Sequence, residues 1–254
     1  MIELQHIYKS FEDKEVLHDI NASFRDGEVN LIIGQSGSGK TVLMKNIVGL
    51  FTPDKGKIMY DDRDFCSLSK REKIALRREM GMIFQSAALF DSLTVLENVM
   101  FPLNMFSDAH YADRVKRARF CLERVNLAGT DEKYPGELSG GMQKRVAIAR
   151  AIVLEPKYLF CDEPNSGLDP QTSLVIDELI SEITHEDKIT TIVNTHDMNS
   201  VMGIGENILF ISEGRVAWRG NNRGIMESDN TVLNDFIFAS DILRQAKLAY
   251  DKKL

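Results

Sequence analysis

Eight residues, GQSGSGKT from Gly34 to Thr41, constrain this chain more than any other feature. They follow the apolar run VNLIIG and precede TVLMKNIVGL, whose apolar residues recur at helical spacing. Buried strand, glycine loop and helix, in that order, build a phosphate cradle: backbone N–H groups converge and the helix start adds positive potential. The match to G-x-x-x-x-G-K-[ST] falls on Gly34, Gly39, Lys40 and Thr41. Gly34 allows the turn, and Gly37 and Gly39 let backbone N–H groups approach phosphate oxygens. Lys40 reaches the β- and γ-phosphates and the Thr41 hydroxyl binds Mg²⁺, while Gln35, Ser36 and Ser38 complete the ATP-binding loop.

Such a loop needs a sheet to stand on. KYLFCDEP (Lys157 to Pro164) and TTIVNTHD (Thr190 to Asp197) read as further buried strands, and NILFISEGRVAWRG as a hairpin turning at Glu213 and Gly214. Strands alternating with helices predict an α/β fold with ligands at the strand C-termini. Asp162 ends one such strand, where a carboxylate can hold Mg²⁺ through water, and Glu163 follows as the general base for an attacking water. His196 closes another strand, where a histidine either contacts the γ-phosphate or serves structure alone. His6, His18, His110 and His185 form no metal-ligand spacing.

Between residues 87 and 150 the periodicity is helical throughout, which predicts a helical subdomain inserted in the α/β core. The expected division is therefore 1–86 and 151–230 for the core, 87–150 for the insert and 231–254 for a closing amphipathic helix. On that helix Val232, Phe236, Ile237 and Leu243 share a face, which covers the core or joins a dimer interface. Formal net charge is −7, so no global basic field invites nucleic acid. Three scattered cysteines fit neither a disulfide framework nor a zinc site, and a reducing cytosol is the simple expectation. The N-terminus lacks a signal-peptide apolar stretch. Uncharged runs such as Met80 to Phe90 fall short of the roughly 18 residues of a membrane span.

LSGGMQKRVAIAR (Leu138 to Arg150) is a second glycine turn opening onto a basic helix, itself an anion site. A chain with a P-loop has no evident use for it alone. Taken together, GQSGSGKT, Gln85 in MIFQS, LSGGM, LFCDEP, SGLD and NTHD occur in the order of an ATP-binding-cassette ATPase. The resemblance covers nearly the whole chain and implies the family's P-loop core, a mixed sheet and the helical insert. It also implies two copies packed head to tail around two ATP. Ser139, Gly140 and Gly141 of one would then contact the ATP held by the other, and Asp169 would lie at the dimer seam. Phe11 would stack on adenine, with a core phenylalanine as the other reading. Gln85 would sense Mg²⁺ and the attacking water. Met142 departs from the glutamine usual in the family.

The wording QSAALFDSLTVLENV, with LSGGM, resembles a narrower branch, the Mla-type (MCE-associated) lipid transport ATPases. That branch implies a membrane permease, an MCE-domain lipid-binding protein, in some relatives a STAS-domain subunit, and phospholipid moved between inner and outer membranes. The chain would sit on the cytoplasmic face of the inner membrane through the permease. Two alternatives stay open: the ATPase of another transporter, for amino acids or lipoproteins, and a soluble cassette ATPase acting on ribosomes or DNA.

Overall fold

The computed structural model describes residues 1–12, 14–239, 243–245 and 247. They fall into two compact units, Met1–Ser67 with Asn194–Leu254, and Leu68–Val193.

The first unit opens with β1 (Ile2–Phe11) and β2 (Lys14–Phe24), then β3 (Val29–Ile33), α1 (Lys40–Ile47), β4 (Lys55–Tyr60) and β5 (Arg63–Asp64). The strands β2-β1-β4-β5 form an antiparallel sheet. Its inward side carries Ile2, Leu4, Leu17, Ile20 and Tyr60, all nearly inaccessible. This sheet has no clean period-2 signature because β1 and β2 carry register shifts around residues 4–10. Every residue of β3 is buried, as expected of an apolar run with no alternation.

In the second unit come α2 (Lys70–Arg77), β6 (Met80–Ile83), α3 (Val95–Phe106), α4 (Tyr111–Arg124), a 3₁₀ turn at Pro135–Glu137, α5 (Gly140–Ile152), β7 (Tyr158–Asp162), α6 (Pro170–Asp187) and β8 (Thr190–Asn194). Asn194 itself belongs to the first unit. Helices α2 and α3 start with capping boxes, Ser69 with Glu72 and Thr94 with Glu97, which satisfy two orphan N–H groups each. β6 and β7 pair in parallel, Gly81 opposite Leu159 and Ile83 opposite Cys161. The connection between them runs through α3, α4 and α5, which pack on one another. Their inner faces, Val99, Leu103, Ala118, Leu122 and Val146 to Ala149, are buried.

Back in the first unit, α7 (Met198–Ile204), β9 (Asn207–Ser212), β10 (Arg215–Gly220), α8 (Asn222–Met226) and α9 (Thr231–Ile237) follow. β9 runs parallel to β3 and antiparallel to β10, so the sheet is mixed. The β9–β10 turn sits at Glu213 (φ 49°) and Gly214 (φ 71°), the double left-handed conformation of a tight hairpin.

The closing helix differs from expectation. α9 ends at Ile237, Phe238 begins a turn, and residues 243–245 and 247 are helical again. Its buried face is Leu233 and Ile237, joined by Phe238, whereas Val232 is 48% exposed. The cap sets this register: Asn230 accepts the Leu233 N–H at 2.9 Å, which turns Leu233 rather than Val232 inward. Phe236 stacks on Phe210 with centroids 5.2 Å apart, and Leu243 is half-buried. Residues 240–242, 246 and 248–254 of the expected helix lie outside the described residues.

Candidate active site

The cradle of the first unit hangs between β3 and α1. Gly34 has φ +151°, and a Cβ there would stand 2.2 Å from the Ile211 carbonyl oxygen of β9. At Gly39, φ is +105° and a Cβ would come within 2.9 Å of Leu17 Cδ2 on β2. Both positions thus exclude side chains by conformation and by space. Lys40 opens α1 with its ammonium curled into the loop, donating to the carbonyls of Gly34 (2.8 Å) and Gln35 (3.0 Å). It is 7% exposed. The Ser38 hydroxyl is buried inside the loop with no hydrogen-bond partner among the described residues, whereas Gln35, Ser36 and Gly37 face outward. An orphaned hydroxyl, a buried ammonium and a glycine-lined concavity at a helix start fit a phosphate chain.

Thr41, on the first turn of α1, is exposed, and its Oγ1 accepts from Asn194 Nδ2 at 3.5 Å. Asn194 is fully buried at the end of β8. It was not singled out in the sequence, although a polar residue closing an apolar strand is the available signal. His196, two residues on, is exposed just before Asp197, the N-cap of α7. Phe11 ends β1 opposite Lys14, with its ring 40% exposed. Its edge meets Phe51 at a centroid distance of 5.2 Å, and the Lys9 ammonium lies 5.4 Å from its centroid. Lys9 is held in turn by Asp54 at 2.7 Å. β2 meets the loop at Gly39 through Val16 and Leu17, and the open Phe11 ring stands at the end of the same hairpin.

The second unit gathers the remaining candidates. Asp162 ends β7 and Glu163 follows, both half-buried. Glu163 adopts φ 51°, a left-handed conformation costing a non-glycine residue about 1–2 kcal/mol. Backbone strain of this kind collects where a side chain must be aimed, and nothing in the sequence marks it. Gln85 follows β6, its side-chain amide donating to Ser166 Oγ at 3.1 Å. Ser139 caps α5 by accepting the Met142 N–H at 3.3 Å. Ser139 and Gly140 are exposed, and the first turn carries no acid to offset the helix dipole. A Cβ on Gly141 would stand 2.5 Å from Thr172 Cγ2 and one on Gly140 3.6 Å from Leu168 Cδ2. Asp169 caps α6, bonded to the Thr172 N–H (3.0 Å) and hydroxyl (2.5 Å). Those bonds hold its carboxyl below the ordinary range. Gln85, the turn at Ser139–Gly141 and the Ser166–Asp169 segment are therefore neighbours within one unit.

Two cations missed in the sequence lie among them. Lys144, 5% exposed, donates to the Gln85 carbonyl, and burial lowers its pKa while Cys161 and Glu163 push the other way. Arg150 donates to the carbonyls of Ala87 and Ala88, both at 2.8 Å. Among the described residues no three His, Cys, Asp or Glu side chains cluster as a metal site. Mg²⁺ keeps waters and substrate phosphates and takes only one or two protein oxygens. The Thr41 hydroxyl in the first unit, and separately Asp162 and the Gln85 amide in the second, carry hard oxygens of that type.

The ABC transporter family matches residues 17–166. A Mycobacterium tuberculosis protein named as a probable ribonucleotide transport ATP-binding protein is 34% identical across 93% of this chain, which spans 66% of that protein, just under two thirds. The intermembrane phospholipid transport system ATP-binding protein MlaF of Haemophilus influenzae is 35% identical, covering 93% of this chain and 90% of MlaF. Among solved structures, a dimeric ATP-binding cassette in a post-hydrolysis state, bound to ADP and Pi, superimposes with a TM-score of 0.79. It is 34% identical over 88% of this chain and all of its own.

Proposed function

This chain belongs to the ABC transporter family, and from that premise we propose that it drives phospholipid between two membranes. It is an ATP-binding subunit with ATPase activity coupled to transport, and cassettes of its family dimerise and partner with a membrane permease. Among the described residues no helix is long and apolar enough to cross a membrane, and the proposal assigns the substrate path to the permease. The MCE-domain protein, and a STAS-domain subunit where one exists, are the further partners this reading expects.

In this mechanism the N–H groups of Gly34–Thr41 and the Lys40 ammonium bind the phosphates, with Phe11 under the adenine. Thr41 and Asp162 would hold Mg²⁺, with Gln85 as its sensor, and the ion would supply charge neutralisation at the phosphate oxygens. Glu163 takes a proton from water as its oxygen bonds the γ-phosphorus, and the bond to ADP breaks. His196 contacts the departing phosphoryl oxygens. Ser139, Gly140 and Gly141 close on the partner copy's γ-phosphate, and Asp169 lies along the seam. Two bridging ATP favour the closed pair, and hydrolysis removes the bridge.

Behind Gln85, a cleft of about 460 Å³ is lined by Phe84, Ala88, Phe90, Phe101, Pro102 and Phe106, with Arg77 and Arg150 at its polar side. Phe84, Phe90 and Phe106 are each about two-fifths exposed. An apolar trough with a basic side suits a short amphipathic helix of the permease. The lipid reading itself is carried by one observation: the chain spans nearly all of MlaF but only 66% of the mycobacterial relative. That relative, equally similar in identity, supports the second reading, the ATPase of another importer with the same residue roles. The test is a mild-detergent pull-down of the tagged chain from its own membranes, with mass spectrometry of proteins and lipids. A permease with an MCE-domain protein and phospholipid supports the proposal. A permease co-purifying with a different solute system moves the substrate elsewhere.

A further inference from the structure

Packing does not require an ammonium at residue 144. Lys144 is 5% exposed, and its hydrogen-bond acceptor among the described residues is a single carbonyl, that of Gln85. A buried ammonium offers three donors and loses its hydration. Methionine would fill the same volume without that cost. What the ammonium adds is a grip on the backbone at Gln85, and it comes from the helix that begins at the Ser139 turn.

Six residues further along the same helix, Arg150 grips the next stretch. Its two terminal nitrogens take the carbonyls of Ala87 and Ala88. Both alanines are left-handed, with φ 61° and 47°, a conformation that non-glycine residues hold only when their surroundings fix it. The planar guanidinium is suited to such a two-point hold. Arg150 also lies 6.0 Å from the Phe90 ring centroid and lines the apolar cleft. Lys144, Arg150 and the Ser139 cap are thus carried by one 13-residue helix. At about 1.5 Å rise per residue, some 16 Å separates the turn at one end from Arg150 at the other.

We propose that Lys144 and Arg150 are positioning residues that fasten the Gln85–Ala88 backbone to the helix bearing the Ser139–Gly141 turn, so that displacing one displaces the other. The proposal rests on the reading of Gln85 and the Ser139 turn as parts of the hydrolytic site. A partner helix pressing on Phe84–Phe90 would then move the turn that meets the other copy's ATP. The side-chain amide of Gln85, bonded to Ser166, would be set by the same grip.

The test compares Lys144→Met, Lys144→Arg, Gln85→Ala and the Lys144→Met/Gln85→Ala double variant of the full chain. The readouts are kcat, KM for ATP and thermal midpoint. Loss of one charge-assisted bond that orients a reacting group is expected to lower kcat of Lys144→Met about ten- to a hundred-fold. KM and the midpoint should stay near the parent's, Lys144→Arg should regain most of the rate, and Lys144→Met should add nothing to Gln85→Ala. Parent-like kcat in Lys144→Met overturns the proposal. So does a Lys144→Met that is destabilised or unfolded, because that makes the ammonium structural. Full turnover by Gln85→Ala is a separate result: it removes Gln85 from the site, while Lys144→Met is still judged by its own kcat.

Discussion

Replacing Gly141 by alanine tests whether that glycine serves packing. An added Cβ would stand 2.5 Å from Thr172 Cγ2, about 1 Å inside the closest comfortable carbon–carbon contact. Rotating Thr172 away breaks its 2.5 Å bond to Asp169, and leaving it in place displaces the turn from α6. Overpacking of this severity costs about 3 kcal/mol, and alanine's helix preference returns at most about 1 kcal/mol. The net loss of about 2 kcal/mol corresponds to a melting point about 4–8 °C lower for a chain of this size. Thr172→Ser removes the offending methyl and keeps the hydroxyl, so the double variant should regain at least half of the loss. Because the Cβ points at α6, ATP turnover should return with it. Urea denaturation and steady-state ATPase assays on the four proteins complete the cycle. A stable Gly141→Ala, or a double variant no better than the single, would refute the reasoning.

Phe11→Ala should raise KM for ATP by about tenfold, the equivalent of one stacking contact, with kcat unchanged and Phe11→Trp close to the parent. Ala88→Gly relieves a left-handed alanine and should raise stability by about 0.5–1 kcal/mol after the entropy of glycine is subtracted, read as a higher urea midpoint. Asp54 is held below the usual carboxylate range first by the Lys9 hydrogen bond and then by the Ser10 N–H. With a depressed folded pKa, its contribution is present above the ordinary value and fades as pH falls through the folded one. Asp54→Asn should therefore flatten the stability profile below about pH 4, as measured by thermal midpoints.

Where chemistry demands a fixed spacing, the sequence was legible. The P-loop, the acids at the end of β7, the glycine turn before α5 and the Glu213–Gly214 hairpin all carry their geometry in consecutive residues. The β1–β2–β4–β5 sheet did not show, because bulges around residues 4–10 break its alternation. The buried face of α9 did not show, because the helical pattern favours Val232 whereas the Asn230 cap turns Leu233 inward. Lys144 and Arg150 are two cations of the basic helix after the LSGGM turn, and nothing in the sequence sets them apart. Only folding shows that their partners are backbone carbonyls some sixty residues away, which carry no side-chain signal. The strain at Glu163, Ala87 and Ala88 is likewise a property of the backbone.

The central claim is that Glu163 is the base of an ATPase that works as a closed pair. Glu163→Gln keeps the shape and removes the proton acceptor, so the decisive measurement is ATP turnover of this variant alongside its mass in solution with ATP. The account predicts a rate about 10²–10⁴ lower, or about 3–5 kcal/mol of added barrier, together with an ATP-dependent dimer that persists. Turnover within a few-fold of the parent, or a monomer that ignores ATP, would contradict it.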